Sequence, residues 1–225
     1  PASVTSPNEV PDKEFEMIEL VNNNLDKVQF ETKPFNHWVY DRVLPENIAN
    51  DLSDLPILSS SIDKNSGKRD TYNTSRIFFN KKNCNKYSLF RDIVNIFNNL
   101  KTIIKLSQIC GRDLSKGKLR IEYTLDTGDF WLEPHLDIKE KLLTFLIYLS
   151  KEKGSSEWGT TIYNPDLSVY KKVPYKLNLG FMFMSGINTW HGVPKQNITG
   201  IRKSLIINYV NNSWKNLDEL SSTYY

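Results

Sequence analysis

Three residues point to metal chemistry: His135 and Asp137, two positions apart, and His191 further along the chain. Two imidazoles and one carboxylate form a ligand set that leaves about half of the positions of an octahedral metal open. On a β-strand, positions i and i+2 face the same side, so His135 and Asp137 can reach one ion together. The third ligand must come from another strand. Taken singly, each histidine is better explained by an ordinary strand or loop position, and it is the features linked to them that favour a metal site.

A basic residue follows the second histidine at a distance that suits anion binding. Arg202 lies eleven positions after His191 and begins a strand-like run that ends at Val210. Arg202 and Ser204 are again i and i+2, so the guanidinium and the hydroxyl face the same way. A guanidinium pairs with a carboxylate through two hydrogen bonds, and a nearby hydroxyl can bind one of its oxygens. The pattern therefore indicates an anionic cosubstrate whose other end chelates the metal.

In their order along the chain, these motifs resemble those of the 2-oxoglutarate and Fe(II)-dependent oxygenases, especially the prolyl 4-hydroxylase-like branch. The resemblance covers roughly residues 34–211, with its motifs between 120 and 205. Prolyl 4-hydroxylases commonly carry lysine at the basic position, so Arg202 departs from that branch and a prolyl substrate does not follow. The matching segments are Tyr123, Thr127-Gly-Asp-Phe130, Glu133-Pro-His-Leu-Asp137, Gly159-Thr-Thr-Ile162, His191 and Arg202-x-Ser204.

The resemblance implies the roles of the site residues and the cofactors. Fe(II) is expected on the catalytic residues His135, Asp137 and His191. The cosubstrate 2-oxoglutarate is expected to bind through Arg202, Ser204 and Tyr123, although Tyr123 is equally compatible with a core aromatic. With O2, such an enzyme hydroxylates a substrate and releases succinate and CO2. The family's halogenases usually carry a small residue in place of the carboxylate ligand, so the aspartate favours hydroxylation.

Other classes of protein remain possible from the sequence. A cupin-like metalloenzyme that does not use 2-oxoglutarate would share the barrel, but it would not need Arg202 and Ser204. A non-catalytic jelly-roll binding protein is expected to have lost a ligand, and all three are present. Zinc hydrolysis is less favoured, because no glutamate is convincingly placed as a base.

Composition is that of one globular enzyme domain. The chain has 225 residues with 39% hydrophobic and 24% charged residues, which is enough for one sizeable core. A net charge of +3 is too weak and too dispersed to favour nucleic-acid binding, and no apolar run approaches membrane-spanning length. Two cysteines favour a reducing, cytoplasmic location. The expected partner is an organic substrate (a small molecule, a sugar or a peptide side chain), and its identity and the oligomeric state stay open.

Local patterns place helices before most of the strands. Residues 1–13 are expected to form a flexible segment, with a single domain over 14–225 and a β core over about 117–211. A strand is predicted from His37 to Val43, a helix from Pro45 to about Leu55, and one or two helices between Tyr87 and Cys110. Six further strands are predicted at 119–125, 132–137, 142–149, 160–163, 179–184 and 204–210. This order predicts a mainly β fold with flanking helices, a double-stranded β-helix (a jelly-roll, cupin-like barrel).

Two segments near the metal motifs are ambiguous. Polar residues 58–75 are expected to form a long flexible loop and are a candidate lid. The charged cluster Lys139-Glu-Lys141 is expected to be a solvated turn rather than a recognition element. Four aromatic residues either line a substrate pocket or close the barrel: Trp131, Trp158, Tyr163 and Trp190.

Overall fold

The computed structural model describes residues 12–58, 66–69 and 75–221. Five α-helices lie in this part of the chain: α1 (Lys13–Leu25), α2 (Glu46–Ser53), α3 (Lys81–Lys86), α4 (Ser88–Asn98) and α5 (Leu100–Cys110). Its strands are β1 (Val28–Glu31), β2 (His37–Tyr40), β3 (Arg76–Phe78), β4 (Lys118–Gly128), β5 (Leu132–His135), β6 (Lys141–Tyr148), β7 (Thr161–Tyr163), β8 (Val169–Lys172), β9 (Gly180–Phe183), β10 (His191–Val193) and β11 (Ile198–Val210). Two short 3-10 helices span Ser155–Glu157 and Leu217–Glu219.

The helical region predicted between Tyr87 and Cys110 contains two helices because Asn99 interrupts it. Its side chain accepts a hydrogen bond from the backbone N–H of Lys101, so it ends α4 and caps the start of α5. Gly111 then ends α5 in the left-handed conformation, with φ of 71°. The buried face of α4 packs with the core on one side of the larger sheet.

All strand pairs are antiparallel, and the strands form two sheets. The seven-stranded sheet has the order β1-β2-β9-β6-β11-β4-β3, and the four-stranded sheet has the order β5-β10-β7-β8. Along β6, Phe145 and Ile147 join the core under the helices, whereas Leu146 and Tyr148 join a second core. That second core includes Ile162 of the smaller sheet, so it fills the space between the two sheets.

The prediction of mainly β structure with flanking helices is confirmed. All six strands predicted after Lys116 are present, and β11 begins earlier than predicted, at Ile198. The strand at His37 and the helix after Pro45 are also present, whereas the sequence patterns missed α1. The two sheets do not close into a single barrel within the described residues.

Two segments for which the sequence made predictions lie largely outside the residues that the structure describes. Residues 1–11 of the N-terminal segment, and 59–65 and 70–74 of the candidate lid, lie outside the described residues. Within the described part of the chain, no helix combines the length and apolar character needed to cross a bilayer.

Candidate metal centre and its pocket

The three predicted metal ligands lie together at one end of the space between the sheets. His135 is the last residue of β5, His191 is the first residue of β10, and the two are direct partners across this antiparallel pair. Asp137 lies two residues beyond the end of β5, with Oδ1 3.3 Å from Nε2 of His191 and 3.9 Å from Nε2 of His135. One possible ligand atom from each residue lies within 4.8 Å of the others. Adjacent ligands of one metal are about 3 Å apart, so a small contraction would suffice for binding.

Both imidazoles are oriented by the backbone. Nδ1 of His135 lies 2.8 Å from the carbonyl of Glu133, and Nδ1 of His191 lies 2.8 Å from the carbonyl of Thr189. A carbonyl only accepts hydrogen bonds, so each Nδ1 carries a proton and Nε2 is the atom that each ring would offer to a metal. Burial, and then the neighbouring His191, lowers the pKa of His135 to about 4, so this imidazole is neutral at pH 7.

A chain of hydrogen bonds holds the carboxylate of Asp137. Thr144 Oγ1 donates to Asp137 Oδ2 at 2.6 Å and accepts from Asn208 Nδ2 at 3.0 Å, so its single proton is committed to the aspartate. Arg120 donates to Asn208 Oδ1 at 2.9 Å. Burial alone would raise the pKa of Asp137, but Lys141, His191 and the bond from Thr144 hold it well below its usual range. The aspartate is therefore charged, with Oδ1 directed towards the imidazoles.

Beside the triad, an apolar zone lines the pocket. The zone is formed by residues from both sheets: Leu132, Leu146, Val193 and Ile206. None of the four aromatic residues proposed as pocket lining is among the described residues that form the pocket wall. Trp158 and Tyr163 are buried outside this wall instead.

Arg202 lines the same pocket, and Ser204 follows it on the inner face of β11. The Arg202 side chain is buried, and its Nε donates to the carbonyl of Trp158 at 2.7 Å. Its second terminal nitrogen, NH2, and the Oγ of buried Ser204 have no hydrogen-bond partner among the described residues. Unused buried donors are rare because each costs roughly 1–3 kcal/mol. Arg202 therefore keeps a donor for an anion in the pocket, whereas Ser204 is not among the described residues that line the pocket.

Arg69 lines the end of the pocket at Arg202, which we call the inner end, and Asp126 pairs with both arginines. The sequence patterns missed Arg69 and Asp126. Asp126 lies opposite Arg202 on β4, with Oδ2 3.4 Å from NH1 of Arg202. Arg69 donates to Asp126 Oδ1 at 2.7 Å and packs over the ring of Phe130. Two guanidiniums thus share one carboxylate.

Tyr123 does not reach the pocket. Its hydroxyl donates to the carbonyl of Leu52 at 2.7 Å, and its ring is buried in the core under the helices. The prediction that its phenol contacts the cosubstrate is wrong, because odd-numbered positions of β4 face the helices. The inner-face tyrosine is Tyr148, opposite Ser204, with its hydroxyl 2.6 Å from Oγ1 of the pocket residue Thr160.

At the metal end, charged residues also line the pocket. Glu122 accepts hydrogen bonds from Arg76 at 2.6 Å and lies 3.1 Å from NH2 of Arg120. Burial alone would raise the pKa of Glu122, but Arg120 and Arg76, with smaller contributions from Arg69 and Lys141, lower it to about 2. Lys141, the first residue of β6, also lines the pocket, so the prediction of a solvated turn is wrong for this residue.

Comparison with solved structures supports the fold. The chain has a TM-score of 0.55 and 15% identity to a Pseudomonas putida prolyl-4-hydroxylase, over 94% of this chain and 100% of that one. A Trichoplax adhaerens prolyl hydroxylase, solved with a hypoxia inducible factor peptide, gives 0.54 and 14% identity over 88% of this chain and 91% of that one. The α-ketoglutarate-dependent epimerase SnoN of nogalamycin biosynthesis gives 0.52 and 12%, over 86% of this chain and 82% of that one. The resemblance to 2-oxoglutarate and Fe(II)-dependent oxygenases, with prolyl 4-hydroxylases among the similar structures, is confirmed for the fold.

Comparisons of the sequence with protein families and with curated proteins gave no match. Because the similar structures include both hydroxylases and an epimerase, the fold alone does not determine the reaction.

Proposed function

We propose that the protein is a 2-oxoglutarate- and Fe(II)-dependent dioxygenase that hydroxylates an organic substrate and releases succinate and CO2. One observation carries the proposal: a single pocket combines the His135, Asp137 and His191 triad with the unused donor of Arg202. We also propose that the two antiparallel sheets are the two halves of a double-stranded β-helix, as in a jelly roll. The domain would extend over residues 14–225, in a reducing cytoplasmic environment.

The ligand set suits a metal that needs open positions. His135 and His191 would supply their Nε2 atoms and Asp137 its Oδ1, while Thr144 holds the other carboxylate oxygen. Two imidazoles and one carboxylate are typical of non-haem Fe(II) oxygenases, because the remaining positions accept cosubstrate and oxygen.

Donors and apolar side chains at the other end of the pocket suit the cosubstrate. The NH2 of Arg202 and the Oγ of Ser204 would bind the far carboxylate of 2-oxoglutarate. Leu146 and Ile206 would pack against its methylene groups and exclude water. This combination favours an oxygenase over a cupin-like enzyme without 2-oxoglutarate, because such an enzyme has no use for a buried, unused guanidinium donor.

When bound, Fe(II) and 2-oxoglutarate supply the oxidising chemistry: one oxygen atom of O2 goes to succinate as CO2 leaves, and the other is inserted into a substrate C–H bond. The protein orients the reactants and keeps the pocket dry. Zinc hydrolysis is less favoured, because Glu122, the glutamate in the pocket wall, is held by Arg76 and Arg120 and cannot act as a base.

The direct test is to add Fe(II) and 2-oxoglutarate anaerobically and record the visible charge-transfer band of the chelate, then to measure succinate after admission of air. We expect the band and succinate with the natural chain, and neither with Asp137→Ala. The matched control is Asp166→Ala, which removes an aspartate from an exposed turn outside the pocket. A natural chain that gives neither signal, or an Asp137→Ala variant with full turnover, would refute the proposal.

A further inference from the structure

Most charges that line or support the pocket have partners of opposite sign. Arg76 pairs with Glu122 at 2.6 Å, and Arg120 pairs with Glu219 at 2.8 Å. These four residues form two cations and two anions, joined by the further contact between Arg120 and Glu122. Arg76 and Arg120 therefore both have anionic partners among the described residues.

At the inner end, Asp126 pairs with both Arg69 and Arg202. The far carboxylate of 2-oxoglutarate would pair with the unused NH2 of Arg202. Asp137 and the near carboxylate of 2-oxoglutarate would balance a divalent metal.

Lys141 lies near an anion that a bound metal would also use, Asp137, and no carboxylate of the described residues is hydrogen-bonded to its ammonium. Its Nζ lies 4.0 Å from Asp137 Oδ2, beyond hydrogen-bond distance, and that oxygen already accepts the proton of Thr144. No described residue makes a hydrogen bond to Nζ, although the side chain is only 21% exposed. A bound divalent metal would share the charge of Asp137 and repel the ammonium, so the site would favour another anion beside Lys141.

On the basis of the proposed function, we propose that the oxidised substrate is a small carboxylic acid, of the size of a free amino acid, whose carboxylate binds Lys141. An ammonium–carboxylate hydrogen bond is about 2.8 Å long, so the substrate carboxylate would lie within roughly 7 Å of Asp137 Oδ2. The acid group is then only a few bonds from the carbon that is oxidised. A residue inside a peptide has a neutral amide at that place and leaves the ammonium unpaired.

The test uses the whole protein loaded with Mn(II) and 2-oxoglutarate without oxygen, so that binding is measured without turnover. Titration calorimetry would compare L-proline, L-lysine, L-leucine and L-glutamate with their α-carboxamides. We expect at least one acid to bind tenfold or more tightly than its amide. Lys141→Gln should reduce that acid to the affinity of the amide, and Lys141→Arg should retain most of the preference.

Lys139→Gln is the matched control, because it removes the same charge from an exposed residue two positions away that does not line the pocket. It should keep the preference for the acid. Amides that bind as tightly as acids, a preference that survives Lys141→Gln, or a panel in which no acid binds would each overturn the inference. Failure of the proposed function can be distinguished by a preceding titration of the Mn(II)-loaded natural chain with 2-oxoglutarate, which would then show no binding.

Discussion

Replacement of Thr144 by valine tests whether the hydrogen bonds that run from Arg120 through Asn208 and Thr144 to Asp137 support metal binding. Valine has nearly the shape of threonine but cannot donate to Asp137 Oδ2, a bond of 2.6 Å to a charged oxygen. Asn208 Nδ2 would keep a second acceptor, the carbonyl of Leu143 at 3.4 Å. The change therefore removes mainly the bond that orients the carboxylate.

A hydrogen bond to a charged group contributes about 1.5–3 kcal/mol. At 1.4 kcal/mol per tenfold change, its full loss corresponds to about 10- to 150-fold in the metal dissociation constant. Partners that orient metal ligands commonly contribute 10- to 100-fold to metal affinity. We therefore expect Thr144→Val to weaken metal binding by about 10- to 100-fold.

The assay is Co(II) binding, followed by visible absorption in competition with a chelator. Thr144→Ser keeps the hydroxyl and should bind Co(II) nearly as tightly as the natural chain. Thr124→Val is a matched control, because Thr124 is buried on the inner face of β4 and bonds to the carbonyl of Ser204 rather than to the triad. If Thr144→Val binds Co(II) as tightly as Thr144→Ser, the role of this hydrogen bond is refuted.

Three further changes test other parts of the site. Arg202→Lys should weaken 2-oxoglutarate binding to the Mn(II) form by about tenfold or more, because an ammonium cannot reproduce the planar guanidinium fork; unchanged affinity in calorimetry would contradict this. Tyr123→Phe should cost about 1 kcal/mol of unfolding free energy through its lost bond to a backbone carbonyl, without any change in 2-oxoglutarate affinity. Glu122→Gln should destabilise the fold by about 3–5 kcal/mol in urea denaturation at pH 7, because the two buried guanidiniums of Arg76 and Arg120 lose an anionic partner that they share. With a folded pKa of about 2 against an ordinary 4.5, Glu122 contributes stability that is lost as pH falls from 4.5 towards 2; a glutamine variant with the same acid dependence would argue against this source.

Much of the candidate site could be predicted from spacing. The separation of His135 and Asp137 predicted that the two side chains can reach one site, and they do lie together, although the strand ends at His135 and Asp137 lies just beyond it. Arg202 and Ser204 share the inner face of β11, as their spacing of two residues required. These predictions needed only local backbone geometry, which the order of the residues determines.

Contacts between distant segments could not be predicted in this way. The chain from Asp137 through Thr144 and Asn208 to Arg120 joins three strands and the segment after β5. Lys141 was read as part of a solvated turn, because three adjacent charged residues usually face water. It lines the pocket because a β-bulge at the start of β6, between the pairs Leu143–Tyr209 and Lys141–Val210, reverses the alternation there and puts Lys141 on the same side as Thr144.

Tyr123 shows most clearly that the sequence alone does not determine which face of a strand lines the pocket. Alternation along β4 determines that Tyr123 shares a face with Ile121 and Leu125, and that Glu122, Thr124 and Asp126 share the other face. Both faces of this strand are buried, one under helices and one against the smaller sheet, so hydrophobicity does not distinguish them. The sequence by itself determined the metal-ligand pattern, the basic residue after it and the period of each strand. Only the tertiary structure decided which face of the sheet forms the pocket, because that depends on where the helices and the second sheet pack.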